Sequence, residues 1–175
     1  MRKFLSGAAL LCLMSSCGLA RSQTAKGVAV LPPGGFKFDG AWACEGEFRG
    51  GKVHKAAFTG TTILNNTWLE LTERDVEPAT GYEAKYLIGY DSQQKQLIEF
   101  DANNFGAATY TSADGWQNGV LTMTSAVSQD AKQPYVANRF VYSIAGPDGF
   151  TVDWQISRAT PLNWTTADHL ACKRA

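Results

Sequence analysis

The stretch Tyr82–Ala102, YEAKYLIGYDSQQKQLIEFDA, decides the fold class of this chain. In its first half, apolar residues at the even positions 82–90 alternate with Glu83, Lys85 and Leu87, which is the period of a half-buried β-strand. Ser92–Gln94 is typical of a turn, and Lys95–Ala102 has the composition of a second strand. Two such segments joined by a short polar turn predict an antiparallel hairpin.

The same period of two extends outward from this hairpin in both directions. Turn signals at Gly50-Gly51, Asn65-Asn66, Asp114-Gly115, Asn118-Gly119 and Gly146–Gly149 separate short β-rich segments. We predict strands at 42–48, 53–63, 67–76, 82–91, 95–102, 106–112, 120–127, 135–145, 150–156 and 165–174. Roughly ten strands with hairpin-length connections predict an all-β, antiparallel up-and-down barrel, because closure leaves no exposed edge.

Residues 1–20 are typical of a signal peptide. Arg2 and Lys3 precede the apolar segment Phe4–Met14, which suits export and is too short to cross a bilayer. Cleavage before Cys17, as in a bacterial lipoprotein, would leave that cysteine lipidated, whereas cleavage after Ala20 would release a soluble protein. Residues 21–35 then predict a flexible tether and 36–175 the barrel domain, in the periplasm or at the outer membrane, with membrane contact only through a lipid anchor.

The four cysteines support export. Cys12 is lost with the signal peptide, and Cys17 is lost or lipidated. Cys44 and Cys172 remain as a pair in an oxidising compartment, which predicts a disulfide. In a closed meander the first and last strands are neighbours, so this bond would join the barrel at its seam. No metal site is expected, because no third or fourth ligand lies at a suitable spacing.

Charge excludes one class of partner. Sixteen basic and sixteen acidic residues give a net charge of zero. No basic surplus is available to pair with phosphates, so we expect no nucleic-acid binding. With all edges paired, we expect a monomer.

Several motifs resemble a known group of barrels. Phe38–Gly46, FDGAWACEG, resembles the opening Gly-x-Trp signature of calycins, which include lipocalins, fatty-acid-binding proteins and nitrobindin-like proteins. The rest of the domain resembles an uncharacterised bacterial family of lipocalin-like exported proteins. The matching segments are Tyr86–Asp91 (YLIGYD), Gln94–Glu99 (QKQLIE), Asn104–Gly106 (NFG), Thr111–Trp116 (TSADGW), Arg139–Tyr142 (RFVY) and Leu170–Lys173 (LACK). This resemblance implies the fold and carries no activity with it.

A weaker resemblance concerns the last strand. Asp168–Ala171, DHLA, is similar to the nitrobindin strand whose histidine ligates haem iron, which would make His169 a haem ligand. The other nitrobindin motifs are missing, and the alternative is a partly exposed histidine. We therefore expect no cofactor, with haem as the exception to be tested.

The sequence contains no recognisable catalytic motif. It lacks a Gly-x-Ser-x-Gly elbow, a His-Glu-x-x-His helix and a phosphate-binding glycine loop. His54 lies between lysines and is interpreted as a surface residue. The carboxylate pairs Glu45/Glu47, Glu70/Glu73 and Glu99/Asp101 have a spacing that would suit a hydrolase. We interpret them as solvated residues of the barrel exterior.

The aromatic side chains are the remaining candidates for function. We expect a non-enzymatic barrel that binds a small hydrophobic or amphipathic molecule, since barrels of this size hold one ligand or fill with side chains. An accessory or structural envelope lipoprotein with a solid core is the alternative, and an enzyme the third. The candidate pocket residues are Trp42, Trp68, Tyr86, Tyr90, Phe100, Arg139 and Trp154.

Overall fold

The structure is a computed structural model that describes residues 28–175, so the predicted signal peptide and Cys17 lie outside the described residues. A single 3₁₀ turn at Pro33–Gly35 precedes the strands. The strands are β1 Gly40–Phe48, β2 Lys52–Ile63, β3 Trp68–Glu77, β4 Glu83–Asp91, β5 Gln96–Asn103, β6 Gly106–Ser112, β7 Val120–Ser125, β8 Ala137–Ile144, β9 Gly149–Ser157 and β10 Thr165–Arg174.

The predicted all-β, up-and-down barrel is confirmed. Each strand pairs antiparallel with the next, and β1 also pairs with β10, which closes a ten-stranded barrel. The shortest paired segment lies between β6 and β7, where only two residue pairs are formed, Tyr110 with Ser125 and Thr111 with Thr124. Within residues 28–175, no helix has the length and apolar character needed to cross a membrane.

The predicted disulfide is also confirmed. Cys44 on β1 and Cys172 on β10 lie directly opposite each other in the antiparallel register and are bonded. Both side chains are buried inside the barrel. The bond therefore joins the first and last strands at the seam, and a disulfide is consistent with an exported protein.

One end of the barrel, here called the closed end, is filled with aromatic side chains. The ring centroids of Phe38 and Trp42 each lie 5.0 Å from that of Phe150 in edge-to-face geometry. The Trp42 indole N–H donates to the carbonyl oxygen of Phe38 over 2.7 Å. These contacts fix the chain before β1 against the base of the barrel.

The segment before Phe36 takes part in this closure. Val30 is buried in the core, and the Trp116 indole N–H donates to its carbonyl oxygen over 3.0 Å. Val28 also packs against the core, whereas Pro33, Gly34 and Gly35 are exposed. Residues 28–32 have no helix or strand, as their sequence predicts, and two apolar side chains hold this loop on the closed end.

The guanidinium of Arg174 seals the closed end from outside. It lies 4.4 Å from the ring centroid of Trp42. Its two terminal nitrogens donate to the carbonyl oxygens of Asp39 and Lys37 over 2.9 and 2.8 Å. The end of β10 is therefore tied to the segment that enters β1.

Candidate functional site

The predicted pocket residues are divided between the two faces of the barrel. Trp42 and Tyr86 are buried in the core, and Trp154 and Tyr90 are partly buried and pack against it. Trp42 belongs to the closed end, where it is surrounded by aromatic rings. Tyr86 and Trp154 lie further along the barrel, toward the end opposite the closed end, here called the far end.

The other three predicted pocket residues face outward. Trp68 and Phe100 stack on the outer surface with ring centroids 6.3 Å apart, and Phe100 is 43% exposed. The Arg139 Nε–H donates to Oε1 of Gln155 over 2.7 Å, and the guanidinium lies 4.3 Å from the centroid of Trp164. The structure therefore does not bring the seven residues together. An outer concavity of about 720 Å³, lined by residues such as Thr59, Thr72 and Lys85, includes none of them.

The inner surface toward the far end carries a polar cluster instead. It contains one histidine and five carboxylates: His54, Glu73, Asp75, Glu99, Asp101 and Asp168. Tyrosine hydroxyls and asparagine amides lie among them. In the described part of the chain no lysine or arginine is buried. Carboxylates in such surroundings keep their protons more readily, because burial disfavours the charged form.

His54 is the centre of one half of this cluster, and its predicted surface position is wrong. The residue is 2% exposed, and the Phe48 ring stacks on its imidazole with centroids 4.2 Å apart. Its Nδ1 lies 2.9 Å from Oδ1 of Asp168, and its Nε2 lies 2.9 Å from Oδ1 of Asp75. Each ring nitrogen thus faces a carboxylate. The alternation of His54 with the buried Ala56 and Phe58 was the signal for its inward position.

A doubly protonated imidazole satisfies both carboxylates. Burial lowers the pKa of His54, but the hydrogen bonds and negative charges of Asp168 and Asp75 outweigh burial and raise the pKa overall. Thr80 donates its hydroxyl hydrogen to the second oxygen of Asp75. His54, Asp75 and Asp168 thus form an ion-pair network at the rim of the cluster.

Glu73 lies beside this network and bonds to tyrosine. The Tyr86 hydroxyl donates to Oε2 of Glu73 over 2.6 Å, and the Tyr82 hydroxyl lies 3.1 Å from that of Tyr86. Burial raises the pKa of Glu73 to about 7, while the Tyr86 hydrogen bond acts in the opposite direction. This carboxyl group therefore keeps its proton to a higher pH than an exposed glutamate does.

Glu99 and Asp101 on β5 form the other half of the cluster. Glu99 is 0% exposed, and its Oε1 accepts a hydrogen bond from the Tyr142 hydroxyl over 3.3 Å. Burial, with the charge of Asp101, raises the pKa of Glu99 to about 8. The Asn103 amide donates to Oδ1 of Asp101 over 3.0 Å, and burial raises the pKa of Asp101 as well.

The interpretation of the carboxylate pairs as exterior residues is therefore wrong for three of the six side chains. Glu45 and Glu47 are exposed, as predicted, and Glu70 pairs with Lys85 on the outer surface. Glu73, Glu99 and Asp101 face inward. On β5 both phases of the alternation contain apolar residues, Leu97 in one and Ile98 and Phe100 in the other, so the sequence alone leaves the inward phase undetermined.

His169, the residue compared with a haem ligand, lies on the outer surface. Its side chain is 44% exposed, and its Nδ1 lies 2.6 Å from Oδ1 of Asp153. An axial ligand for a haem held inside the barrel would have to face inward, as His54 does. Within residues 28–175, neither histidine is hydrogen-bonded to a serine, threonine or cysteine that it could activate as a nucleophile.

Donor atoms of His54, Glu73 and Asp75 lie within 4.8 Å of one another. That spacing would suit a metal ion with one nitrogen and two oxygen ligands. In the structure, however, His54 Nε2 is already hydrogen-bonded to Asp75, so an ion would have to break this contact. The geometry favours an ion-pair network over a prepared metal site.

Comparison of the chain with protein-family models finds no match, and comparison with curated proteins finds no relative. The closed ten-stranded antiparallel barrel is compatible with the lipocalin-like fold that the sequence motifs resemble. The function therefore has to be argued from the geometry of the cluster.

Proposed function

We propose that this protein is an exported, non-enzymatic barrel that binds one small amphipathic molecule on the inner surface toward the far end. The observation that carries the proposal is the contrast between the two ends. Aromatic rings fill the closed end and are almost inaccessible to solvent. Toward the far end, Tyr82 and Trp154 remain partly exposed beside buried carboxyl and hydroxyl groups. Apolar walls with a few convergent polar groups are typical of ligand sites.

The two ends of the barrel differ in how well they are covered, which supports a single entrance for the ligand at the far end. The segment 28–38 and the Arg174 guanidinium cover the closed end. The longer connections 126–136 and 158–164 lie at the far end, beside Tyr135 and Trp154, whose ring centroids are 5.8 Å apart. A ligand would therefore enter between these connections, where loops can move without breaking the barrel.

Export is part of the proposal. The apolar segment Phe4–Met14 and the Cys44–Cys172 disulfide both support a destination in the periplasm or the cell envelope. Whether Cys17 is lipidated is open to test by radiolabelled palmitate incorporation in a lipoprotein-competent host. Loss of the label in Cys17→Ala would establish the anchor, and no incorporation into the unaltered protein would exclude it.

Native mass spectrometry of the mature protein purified without detergent tests the binding function. We expect an adduct of a few hundred daltons that is released by organic extraction, as is typical of a pocket-sized ligand. Ala84 faces inward beside Glu73, whereas Ala102 is exposed on the neighbouring strand. Ala84→Leu should reduce the adduct and Ala102→Leu should leave it unchanged. An adduct that persists in Ala84→Leu would place the ligand outside the barrel, and its loss in Ala102→Leu would place it in the outer concavity that Ala102 lines.

A solid-core accessory lipoprotein is the second candidate. The burial of Tyr86, Tyr142 and Glu99 favours it, since Tyr142 is hydrogen-bonded to Glu99 inside the barrel. This candidate predicts a protein that purifies without any adduct and is crosslinked to another envelope protein through its outer surface.

A further inference from the structure

The polar cluster contains more negative than positive groups. His54 is hydrogen-bonded to Asp75 and Asp168 and, when protonated, offsets one of their two negative charges. Glu73 has His54 as a neighbour, with donor atoms within 4.8 Å. Glu99 and Asp101 have no basic partner, and no lysine or arginine is buried among the described residues. Removing a carboxylate from water without a counter-charge costs several kcal/mol. Glu99 and Asp101 therefore form a site that a positive charge would stabilise.

Glu99 gives an independent indication of a missing donor. It is completely buried, and its Oε2 is the one buried side-chain oxygen or nitrogen in residues 28–175 without a hydrogen-bond partner. Its other oxygen accepts a hydrogen bond from Tyr142 on β8, three strands away around the barrel. The carboxyl group thus lies inside the barrel. Buried polar atoms are almost always satisfied, so a vacant acceptor at this place calls for a donor.

Aromatic rings surround these carboxyl groups. The centroid of Phe140 lies 5.4 Å from that of Tyr86 and 5.1 Å from that of Tyr110. Aromatic faces attract organic cations and accept an apolar body. A hydrated metal ion would gain little from such walls, since hard cations select oxygen ligands in a polar shell. The combination favours a charged head on an apolar skeleton.

We propose, on the basis of the binding function above, that the ligand is a small organic cation, a protonated amine with an aromatic or aliphatic body. Its ammonium group donates to Oε2 of Glu99 and to Asp101, and its body packs against Phe140 and Trp154. An ammonium carries three donors and no acceptor, which matches a site made of carboxyl oxygens. Charge-assisted hydrogen bonds of this kind are about twice as strong as neutral ones.

Calorimetric titration with three probes of equal body tests the charge of the ligand. The probes are 2-phenylethylamine, 2-phenylethanol and phenylacetate, added to the mature, oxidised protein after organic extraction. We expect the amine to bind at least about tenfold more tightly than the alcohol, and phenylacetate to bind most weakly. If the amine does not bind, or binds no more tightly than the alcohol, the proposal is overturned.

Three variants locate the binding site. Glu99→Gln and Asp101→Asn preserve side-chain volume and each remove one ionisable carboxyl group, and each should weaken amine binding about tenfold while leaving the alcohol within about twofold. Glu47→Gln, exposed on the outer surface, is the matched control and should change neither. Equal amine affinities in Glu99→Gln, Asp101→Asn and the unaltered protein would overturn the site.

A metal ion at His54, Glu73 and Asp75 is the competing source of positive charge. Titration with Zn²⁺ distinguishes the two sources of charge. A resident metal site should bind Zn²⁺, should lose this binding in His54→Ala, and should show no binding of the amine. That result would overturn the proposal. If the amine does not bind, the binding function is still tested by the co-purified adduct. The mass and charge of that adduct would then identify a neutral or anionic ligand.

Discussion

Tyr142 on β8 donates its hydroxyl hydrogen to Oε1 of Glu99 on β5, over 3.3 Å and across the inside of the barrel. The two strands are not neighbours in the sheet, since β6 and β7 lie between them. This hydrogen bond therefore joins strands that are three positions apart around the ten-stranded ring. It also holds a carboxyl group in a place where folding must either keep it protonated or provide a positive charge.

Glu99→Gln should stabilise the protein at alkaline pH. Burial raises the pKa of Glu99 to about 8 from an unfolded value of 4.5, so the folded state binds the extra proton between these values. The stabilisation of the folded state by this protonated carboxyl group is complete below pH 4.5 and is lost as the pH rises through 8. Glutamine can still accept from Tyr142 and does not ionise. Urea denaturation at pH 5 and pH 9 should show a gain for the variant at pH 9 of roughly 2–4 kcal/mol relative to pH 5.

Glu47→Gln is the matched control for this measurement, because Glu47 is exposed on the outer surface. It should leave the pH dependence of the unfolding free energy unchanged. Glu73, with a pKa of about 7, also lowers the unfolding free energy as the pH rises, and it does so in both proteins. A Glu99→Gln variant whose stability falls between pH 5 and pH 9 as steeply as that of the unaltered protein would contradict the assignment.

The two histidines should differ sharply in their contribution to stability. His54→Ala leaves Asp75 and Asp168 as uncompensated charges inside the barrel, and breaking a buried pair in this way typically costs about 3–5 kcal/mol. His169→Ala removes a partly exposed pair with Asp153, which is worth at most about 1 kcal/mol. Chemical denaturation of both variants at pH 6 provides the comparison.

The difference should also depend on pH. The raised pKa of His54 means that its ion pairs stabilise the fold most when the imidazole is protonated, below the unfolded value of 6.5. This stabilisation is lost as the pH rises through the folded pKa. Equal losses for the two alanine variants at acidic pH would mean that His54 is a neutral packing residue.

The strands could be predicted from the sequence because two local signals coincide. The alternation in Tyr82–Asp91 and turn pairs such as Asn118-Gly119 each specify backbone conformation over a few residues. Asn118 and Gly119 both have positive φ values in the structure, as a turn of this kind requires. Closure was predicted from the hairpin-length connections, since a closed barrel leaves no exposed edge, and the positions of Cys44 and Cys172 near the two ends of the domain agreed with it.

The site could not be predicted because alternation gives two faces without saying which one is inside. On β3, Leu69 and Leu71 define the inner face, yet the same face continues into Glu73 and Asp75. Charged residues on an inner face look like those of an outer face until tertiary partners are known. The partners of Glu99 and His54, Tyr142 and Asp168, lie 43 and 114 residues away.

Gly89→Ala should destabilise the barrel through a single contact on its outer surface. A β-carbon at position 89 would lie 2.3 Å from the ring of Trp68, which packs across the glycine from the neighbouring strand. Displacing the ring should cost about 1–3 kcal/mol, as overpacking generally does. In a Trp68→Ala background the same substitution should cost almost nothing. Thermal unfolding of the four proteins measures this coupling, and an equal cost in both backgrounds would exclude the contact as its cause.

Removal of the disulfide should destabilise the protein without changing its fold. Cys44 and Cys172 are separated by 128 residues, and a loop of this size corresponds to about 4–5 kcal/mol in the chain-entropy model. The antiparallel pairing of Trp42–Phe48 with Asp168–Arg174 does not depend on the bond, so the barrel should still close. The double variant Cys44→Ala/Cys172→Ala should therefore keep a β-rich circular dichroism spectrum and unfold at lower denaturant concentration. The unaltered protein with reductant is the control and should match it. Free reaction of both thiols with a maleimide in the folded, oxidised protein would contradict the bond at the seam.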